Sequence, residues 1–177
     1  MGYKIDRNLP VPGEPIPLTI SAAPPRCYLH VMHTLTLDDE RIHLTVIETS
    51  YGLYTEPDLE GMVFHYDYRR HPTDQYPGAH LQVAGESETL LTLNKRMDQN
   101  KVLRDLHFPV GGKRYRPSLE DLVEFLIIEG YTKGRPGWAD SVGLHREKYQ
   151  RRQLMAAVRR DTEAAAEMLG VLDRRIE

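Results

Sequence analysis

The sequence predicts an α+β fold, in which an antiparallel β meander of about four to six strands packs with two C-terminal helices. Apolar residues alternate with polar ones through much of the first half of the chain, and they recur at helical spacing towards its end. The 177 residues suit one domain with a continuous core. We expect a Pro-rich arm over 1–25 and a single domain over 26–177, with the sheet in 26–116 and helices at 118–129 and 140–169.

Alternation places the strands in order. Six prolines in the first 25 residues fix φ and remove backbone donors, which predicts an extended arm with an edge strand at 18–22. The run Cys27–Leu37 alternates, although His33 breaks its apolar face, and a polar turn joins it to a second strand. Short connections between these runs indicate an antiparallel meander. We assign the strands to 27–37, 42–46, 62–69 and 79–83, with an edge hairpin at 108–117 around a Gly-Gly turn.

Capping signals and apolar spacing place the helices. Ser118 stands at an N-cap position with Asp121 three residues later, and Gly130 follows the apolar run. A breaker-rich connection leads to a longer helix, which begins at Asp140 or Leu144 and ends at Leu169. Between 86 and 105 the pattern is less regular and fits a short helix at 89–97 or at 101–106.

Composition and charge limit the classes of protein to which the chain belongs. Hydrophobic residues make up 40% and charged residues 28%, which is typical of a globular protein. The net charge of -3 gives no global attraction to nucleic acid or lipid, so such binding needs a local patch. No secretory leader and no membrane-spanning apolar stretch are present, so we expect a cytoplasmic protein without membrane contact. Cys27, the single cysteine, is expected to pack as a small hydrophobe.

Polar side chains of two neighbouring strands form the strongest candidate site. Strand parity puts His65, Asp67 and Arg69 on one face of their strand, and His80 and Gln82 on the polar face of the next. If the two strands pair, both sets lie opposite the shared apolar face. Imidazoles that exchange protons, a carboxylate that orients them and an arginine that holds phosphate would suit cleavage of phosphodiester bonds in RNA.

Two other interpretations of the same residues stay open. Two imidazoles and a carboxylate also form a recognisable set for a first-row metal ion, but the spacing does not favour this, and we assign no metal and no cofactor. The plainer alternative is the solvated face of a half-exposed sheet, on which polar residues are expected at alternate positions.

Further residues qualify as substrate contacts, each with a plainer alternative. His71 and Gln82 lie beside the four candidate catalytic residues. The loop 111–116 combines glycines with the cations Lys113, Arg114 and Arg116, which would suit a phosphate. A basic β-turn explains that loop as well. The final helix is basic between 146 and 160, which suits nucleic acid, an acidic partner or self-association. Ten tyrosines, Tyr76 among them, could stack on unpaired bases or simply edge the core.

Two resemblances add to these predictions. The segments Tyr76–Val83, read YPGAHLQV, and Pro109–Ile127, read PVGGKRYRPSLEDLVEFLI, resemble motifs of an actinobacterial family of hypothetical proteins, which carries no assigned activity. The order of features, a meander, a Tyr-Asp strand, a Pro-x-x-His strand and a capped helix, is more loosely similar to TumE-type toxins of toxin–antitoxin pairs. That likeness matches Asp67 to the aspartate of their Asp-Asn motif and His80 to one histidine of their Pro-His-x-x-His cluster. Tyr68, Gly78 and Ala79 depart from those motifs.

The sequence therefore predicts a TumE-like toxin that acts on RNA phosphodiesters, with His65 or His80 as base and acid, Asp67 as the orienting group and Arg69 as the phosphate ligand. The expected partners are RNA or a protein such as an antitoxin, and a homo-oligomer is compatible with the pattern. The competing class is a non-catalytic binding or regulatory protein of a toxin–antitoxin, phage or defence system, which would use the same face as an interface.

Overall fold

The computed structural model describes residues 14–20, 24–38, 40–72, 75–111 and 116–173. Six strands form one sheet in the order of the sequence, and every neighbouring pair is antiparallel. This confirms the predicted α+β meander with C-terminal helices. The strands are β1 (Ile16–Leu18), β2 (Cys27–Leu37), β3 (Leu44–Tyr54), β4 (Met62–Arg69), β5 (Ala79–Val83) and β6 (Phe108–Pro109).

Four α-helices and a 3₁₀ turn complete the described part of the chain. The helix between β5 and β6 takes the first of the two predicted positions, and a 3₁₀ turn takes the second. The helix at 118–129 is confirmed with its capping box, because Ser118 and Asp121 bond to each other's backbone N–H. The elements are α1 (Glu88–Met97), the 3₁₀ turn (Leu103–Asp105), α2 (Leu119–Ile128), α3 (Trp138–Arg160) and α4 (Thr162–Asp173).

The single helix predicted for 140–169 is wrong, because Asp161 divides it into α3 and α4. The Asp161 backbone leaves the helical region, with φ at -133° and ψ at 74°. Its N–H still bonds to Ala157 as the end of α3, while its carboxylate accepts from the N–H of Ala164. Aspartate is a preferred N-cap, so the same residue ends one helix and begins the next.

Strand β3 begins two residues later than the predicted strand 42–46 and continues to Tyr54, beyond a β-bulge that reverses its alternation. Thr34 pairs with Glu48 but Leu35 pairs with Val46, so Ile47 is the extra residue. Apolar side chains on the two sides of the bulge therefore have opposite parity in the sequence. The backbone carbonyls of Val46 and Ile47 accept hydrogen bonds from Arg70, at 2.9 and 2.8 Å.

Strand β1 begins two residues before the predicted edge strand 18–22, ends at the first residue of that prediction, and lies inside the predicted arm. The carbonyl of Thr19 accepts from the backbone N–H of Lys133 and from the hydroxyl of Thr132, so it bonds to the loop after α2 rather than to β2. Pro17 is tolerated in β1 because this is an edge strand.

One face of the sheet, which we call the helix-covered face, packs on α2. Leu53 of β3 and Leu126 of α2 are 0% and 1% exposed, and Phe64 meets Phe125 edge to face at 5.7 Å. Cys27 joins this core as predicted, and burial raises the pKa of its thiol, which keeps it protonated. The buried core comprises Leu18, Cys27, Leu29, Tyr51, Leu53, Phe64, Leu122 and Leu126.

A salt-bridge network holds α3 against α2. Arg146 donates to Asp121 at 2.8 Å and to Glu124 at 2.5 Å, which raises the pKa of Arg146 further. None of the helices in the described ranges combines the length and apolar character that crossing a lipid bilayer would require.

Candidate functional site

Strand register brings four of the predicted site residues together on the second face of the sheet, which we call the cleft face. His65 of β4 pairs with Gln82 of β5, and Asp67 pairs with His80. Residues directly opposite each other on neighbouring strands share a face, so all four side chains stand on the side away from Phe64 and Tyr66. The convergence inferred from alternation alone is present in the structure.

The two imidazoles flank the carboxylate at short range. His65 Nε2 lies 3.4 Å from Asp67 Oδ2, and His80 Nε2 lies 3.9 Å from the same oxygen. The His65, Asp67 and His80 side chains are 21%, 33% and 14% exposed, so the group is largely shielded but open to small molecules. Partial burial strengthens their mutual electrostatic interactions relative to those of a fully solvated surface.

Hydrogen bonds outside this group fix the orientation of its side chains. His80 Nδ1 lies 2.9 Å from the carbonyl oxygen of Pro77, which accepts, so Nδ1 carries the proton and Nε2 faces Asp67. The Gln82 amide donates to the carbonyl of Arg104 at 2.6 Å, which turns Oε1 towards His65 Nε2 at 2.5 Å. The loop before β5 and the 3₁₀ turn therefore set the directions in which these groups point.

A cleft of about 210 Å³ opens beside this group. Arg69 lies at its rim, where its Nε is 3.6 Å from Glu48 and its side chain is 54% exposed. Exposed ion pairs of this kind contribute little to stability, so an incoming anion can compete for the guanidinium. The cleft is lined by Asp67, Arg69, Pro72, Tyr76, Pro77, Gly78, His80, Gln82 and His107. His65 is not among these lining residues.

His107 does not stand out in the sequence pattern, yet the structure places it in the cleft. Its ring meets His80 edge to face at 4.7 Å and stacks on Tyr76 at 3.7 Å with the planes 14° apart. Burial and the neighbouring charge of His80 lower the pKa of His107, which favours its neutral form. Its position follows from the register of β6 on β5, in which Pro109 pairs with His80 and His107 shares the parity of Pro109, and a strand of two residues gives no periodic signal in the sequence.

Towards β2, the cleft face carries two further ring side chains, those of His30 and Tyr54. The pair His30 and Gly52, and the pair Gly52 and His65, are directly opposite each other, so the three form one row across the sheet. A side chain at Gly52 would meet the ring of Tyr54, which occupies that space. Burial raises the pKa of Tyr54, and the charge of Asp67 raises it further, so its phenol stays protonated near the site. His30 is buried and meets Tyr54 edge to face at 6.5 Å.

Other predicted substrate contacts are not brought to this cleft. His71 is exposed and does not line it. Arg116 lies on the helix-covered side, where its guanidinium stands 4.0 Å over the ring of Tyr68. Lys113 and Arg114 lie outside the described residues.

A larger cavity of about 790 Å³ lies beside α3, on the same side as Arg116. It carries charged side chains, but Arg146 and Asp121 on its wall are bound to each other. The smaller cleft is the better candidate for chemistry, because it holds converging imidazoles, a carboxylate and a guanidinium.

Comparisons with protein-family models, curated proteins and solved structures found no match to this chain. The resemblance to TumE-type toxins therefore stays a prediction.

Proposed function

We propose that the protein cleaves RNA phosphodiester bonds in this cleft by acid–base chemistry. The observation that carries the proposal is the edge-to-face pair of His80 and His107, 4.7 Å apart, on the wall that also holds Asp67 and Arg69. Two neighbouring imidazoles that share one proton supply a base and an acid at the same site.

His107 acts as the base and His80 as the acid. The lowered pKa of His107 favours its neutral form, which can accept a proton. A protonated His80 would face Asp67 at 3.9 Å, and the carboxylate would balance its charge. His65 acts as a positioning residue, because it lies 3.4 Å from the same carboxylate oxygen and holds it in place.

In the proposed reaction, His107 takes the proton of a ribose 2′-hydroxyl, and the 2′ oxygen forms a bond to phosphorus. The bond from phosphorus to the 5′ oxygen breaks, and His80 supplies the proton for that oxygen. Arg69 binds a non-bridging phosphate oxygen at the rim, and the open face of Tyr76 stacks on a base. The products are a 2′,3′-cyclic phosphate and a 5′-hydroxyl end.

The test uses the full chain and a short single-stranded RNA, with EDTA present. We expect cleavage products with a 2′,3′-cyclic phosphate by mass spectrometry, and no cleavage where the scissile nucleotide is 2′-deoxy. His80→Ala should lower the rate by about a hundredfold or more. His145→Ala is the matched control, because His145 is exposed on α3 and bonds to its own helix. Intact RNA with the folded wild-type chain would refute the proposal.

Toxicity is a separate part of the proposal, and the resemblance to TumE-type toxins supports it. Induced expression should slow bacterial growth and shorten cellular RNA, and Asp67→Asn should remove both effects while the protein still accumulates. Expression that leaves growth and RNA unchanged would contradict a toxin function even if cleavage were seen in the purified system.

A second candidate is a non-catalytic protein-binding function, which the exposed apolar side chains favour. Ile42 and Leu44 at the tip of the β2–β3 hairpin are 66% and 69% exposed, and Leu154 of α3 is 65% exposed. The backbone N–H groups of His43 and Ile42 lower the pKa of Asp38 at the same tip, and the charge of Arg159 lowers it further. Neighbouring exposed apolar side chains such as Ile42 and Leu44 are typical of interfaces. Ile42→Lys with Leu44→Lys should abolish partner binding and leave RNA cleavage intact if the two functions are separate.

A further inference from the structure

The group of His65, Asp67, His80 and Gln82 has more hydrogen-bond acceptors than protons. Gln82 Oε1 and Asp67 Oδ2 are both acceptors, since the Gln82 amide nitrogen donates elsewhere. With Nδ1 of His80 donating to Pro77, the neutral ring presents only a lone pair at Nε2. Among the atoms that face one another in this group, only His65 Nε2 then carries a proton. Such a convergence of lone pairs favours a positive charge at its centre.

We propose that these residues form a binding site for a divalent transition-metal ion, with His65, Asp67 and His80 as ligands and Gln82 Oε1 as a fourth donor. On binding, His65 takes the tautomer that carries its proton on Nδ1, so that Nε2 presents a lone pair to the ion. The inference does not depend on RNA cleavage. It rests on the positions of the donor atoms in the structure.

The distances between donor atoms support the proposal. Ligands about 2.1 Å from a tetrahedral zinc ion lie about 3.4 Å from one another. His65 Nε2 and Asp67 Oδ2 are 3.4 Å apart, and His80 Nε2 and Asp67 Oδ2 are 3.9 Å apart. The donor atoms of His65, Asp67 and His80 fall within 4.8 Å of one another, so small side-chain rotations complete the geometry for these three. Gln82 Oε1 lies 2.5 Å from His65 Nε2, a hydrogen-bond distance, and it moves away by about 0.9 Å to reach the spacing of two zinc ligands. Only this group has such an arrangement of three potential ligands among the described residues.

The surroundings also resemble those of metal ligands. Metal-binding histidines usually donate their second ring nitrogen to a carbonyl or carboxylate, which fixes the tautomer. The bond from His80 Nδ1 to Pro77 has this form, and the Arg104 carbonyl holds Gln82 with its oxygen towards His65.

The donor types select the class of ion. Imidazole nitrogen suits zinc, copper, nickel and iron, whereas magnesium and calcium prefer oxygen donors throughout. Two imidazoles, one carboxylate and one amide oxygen therefore favour Zn²⁺ or Co²⁺ over Mg²⁺. A bound ion would take the Nε2 lone pair of His80, so it should inhibit any reaction that uses His80 as an acid.

The test is a titration of the full chain with Zn²⁺, Co²⁺ and Mg²⁺, followed by calorimetry, with Co²⁺ absorption as a second measurement. We expect one Zn²⁺ per chain, a visible Co²⁺ band typical of a tetrahedral site, and no binding of Mg²⁺. His80→Ala should weaken Zn²⁺ binding by more than about a hundredfold, since loss of an outer partner alone costs about 10- to 100-fold. Gln82→Ala should weaken it by about tenfold.

Controls separate this site from adventitious binding. His145→Ala removes an exposed histidine from α3 and should leave Zn²⁺ affinity unchanged. Asp67→Asn keeps the shape of the side chain, so its loss of binding cannot be ascribed to unfolding if its melting temperature is unchanged. Equal Zn²⁺ affinity in the wild type and His80→Ala would overturn the proposal, as would Mg²⁺ binding of similar strength. RNA cleavage in EDTA is measured separately, so the metal site and the proposed activity can fail independently.

Discussion

Phe64 and His65 are neighbours on β4, yet they stand on opposite faces of the sheet and in different environments. Phe64 is 7% exposed and packs edge to face on Phe125 of α2. The His65 side chain is 21% exposed and contacts Asp67 and Gln82 through polar atoms. The helix-covered face is thus held by apolar burial, whereas the cleft face is held by directed hydrogen bonds from the loops beside it.

This difference separates stability from function within a single strand. The stabilisation from burial grows with the apolar area removed from water, and a cavity in the packing reduces it. The helix-covered face therefore supplies most of the free energy of unfolding. Polar groups on a partly solvated face contribute less to stability, but their positions decide what they can bind. Substitutions of adjacent residues should therefore have separable effects on the free energy of unfolding and on activity.

The largest effect is expected on catalysis at the cleft face. His107→Ala should lower RNA cleavage by about 10²- to 10⁴-fold, because the proposed base is removed. The loss of its stack on Tyr76 should cost about 0.5–1.5 kcal/mol of stability. Initial rates and urea unfolding measure the two quantities.

Phe108→Ala is the matched control for His107→Ala. Phe108 is the next residue along the chain and pairs with Leu81 of the helix-covered face. It is 40% exposed, so we expect unchanged cleavage and a small loss of stability. Equal losses of activity in the two variants would show that the edge strand, and not His107, matters.

The next effect is on stability at the helix-covered face. Leu53 is 0% exposed, and Leu53→Ala should lower the free energy of unfolding by about 2–5 kcal/mol through lost burial and the cavity that remains. Its neighbour Tyr54 lies on the cleft face, and Tyr54→Phe should cost less than about 1.5 kcal/mol. Urea unfolding of both variants compares the two faces directly, and similar losses would contradict the division between them.

Much of this division could be predicted from alternation alone. The parity of 62–69 and 79–83 placed His65, Asp67, His80 and Gln82 on one face, and the structure agrees. Pairing of the two strands needed only a short connection, which leaves few alternatives to an antiparallel neighbour.

Three features could not be predicted, namely the bulge in β3, the break between α3 and α4, and the position of His107, because they depend on contacts that the spacing of residues in the sequence does not show. The bulge at Ile47 reversed the alternation of β3, so the second half of that strand looked irregular. The helical spacing of apolar residues continues past Asp161, so the pattern does not reveal a break. The break is visible only in the structure, where the Asp161 carboxylate caps the start of α4. His107 precedes a strand of two residues, too short for a periodic signal, and its place beside His80 depends on the pairing of β5 with β6.

A smaller effect is expected where α2 begins. The Ser118 hydroxyl accepts from the N–H of Asp121, and α2 supplies the buried Leu122 and Leu126 to the helix-covered face. Ser118→Ala should cost about 1 kcal/mol of stability, and Ser118→Thr should recover part of it. Ser141→Ala in α3 is the control, since its side chain is exposed and gives no cap. A loss in Ser141→Ala as large as that in Ser118→Ala would exclude the capping explanation.

The smallest effect concerns His30, which is buried although it belongs to the cleft face. Burial lowers the pKa of His30, so the folded protein resists the proton that the unfolded chain binds below its own value of about 6.5. Stability is therefore fully present above that value and is lost as pH falls towards the folded pKa. His30→Gln should reduce this loss between about pH 8 and about pH 5, measured by urea unfolding at each pH. His43→Gln, at the exposed hairpin turn, should leave the loss unchanged. If the free energy of unfolding of His30→Gln changed with pH as steeply as that of the wild type, the prediction would be wrong. The titration of His30 would then make no contribution to stability.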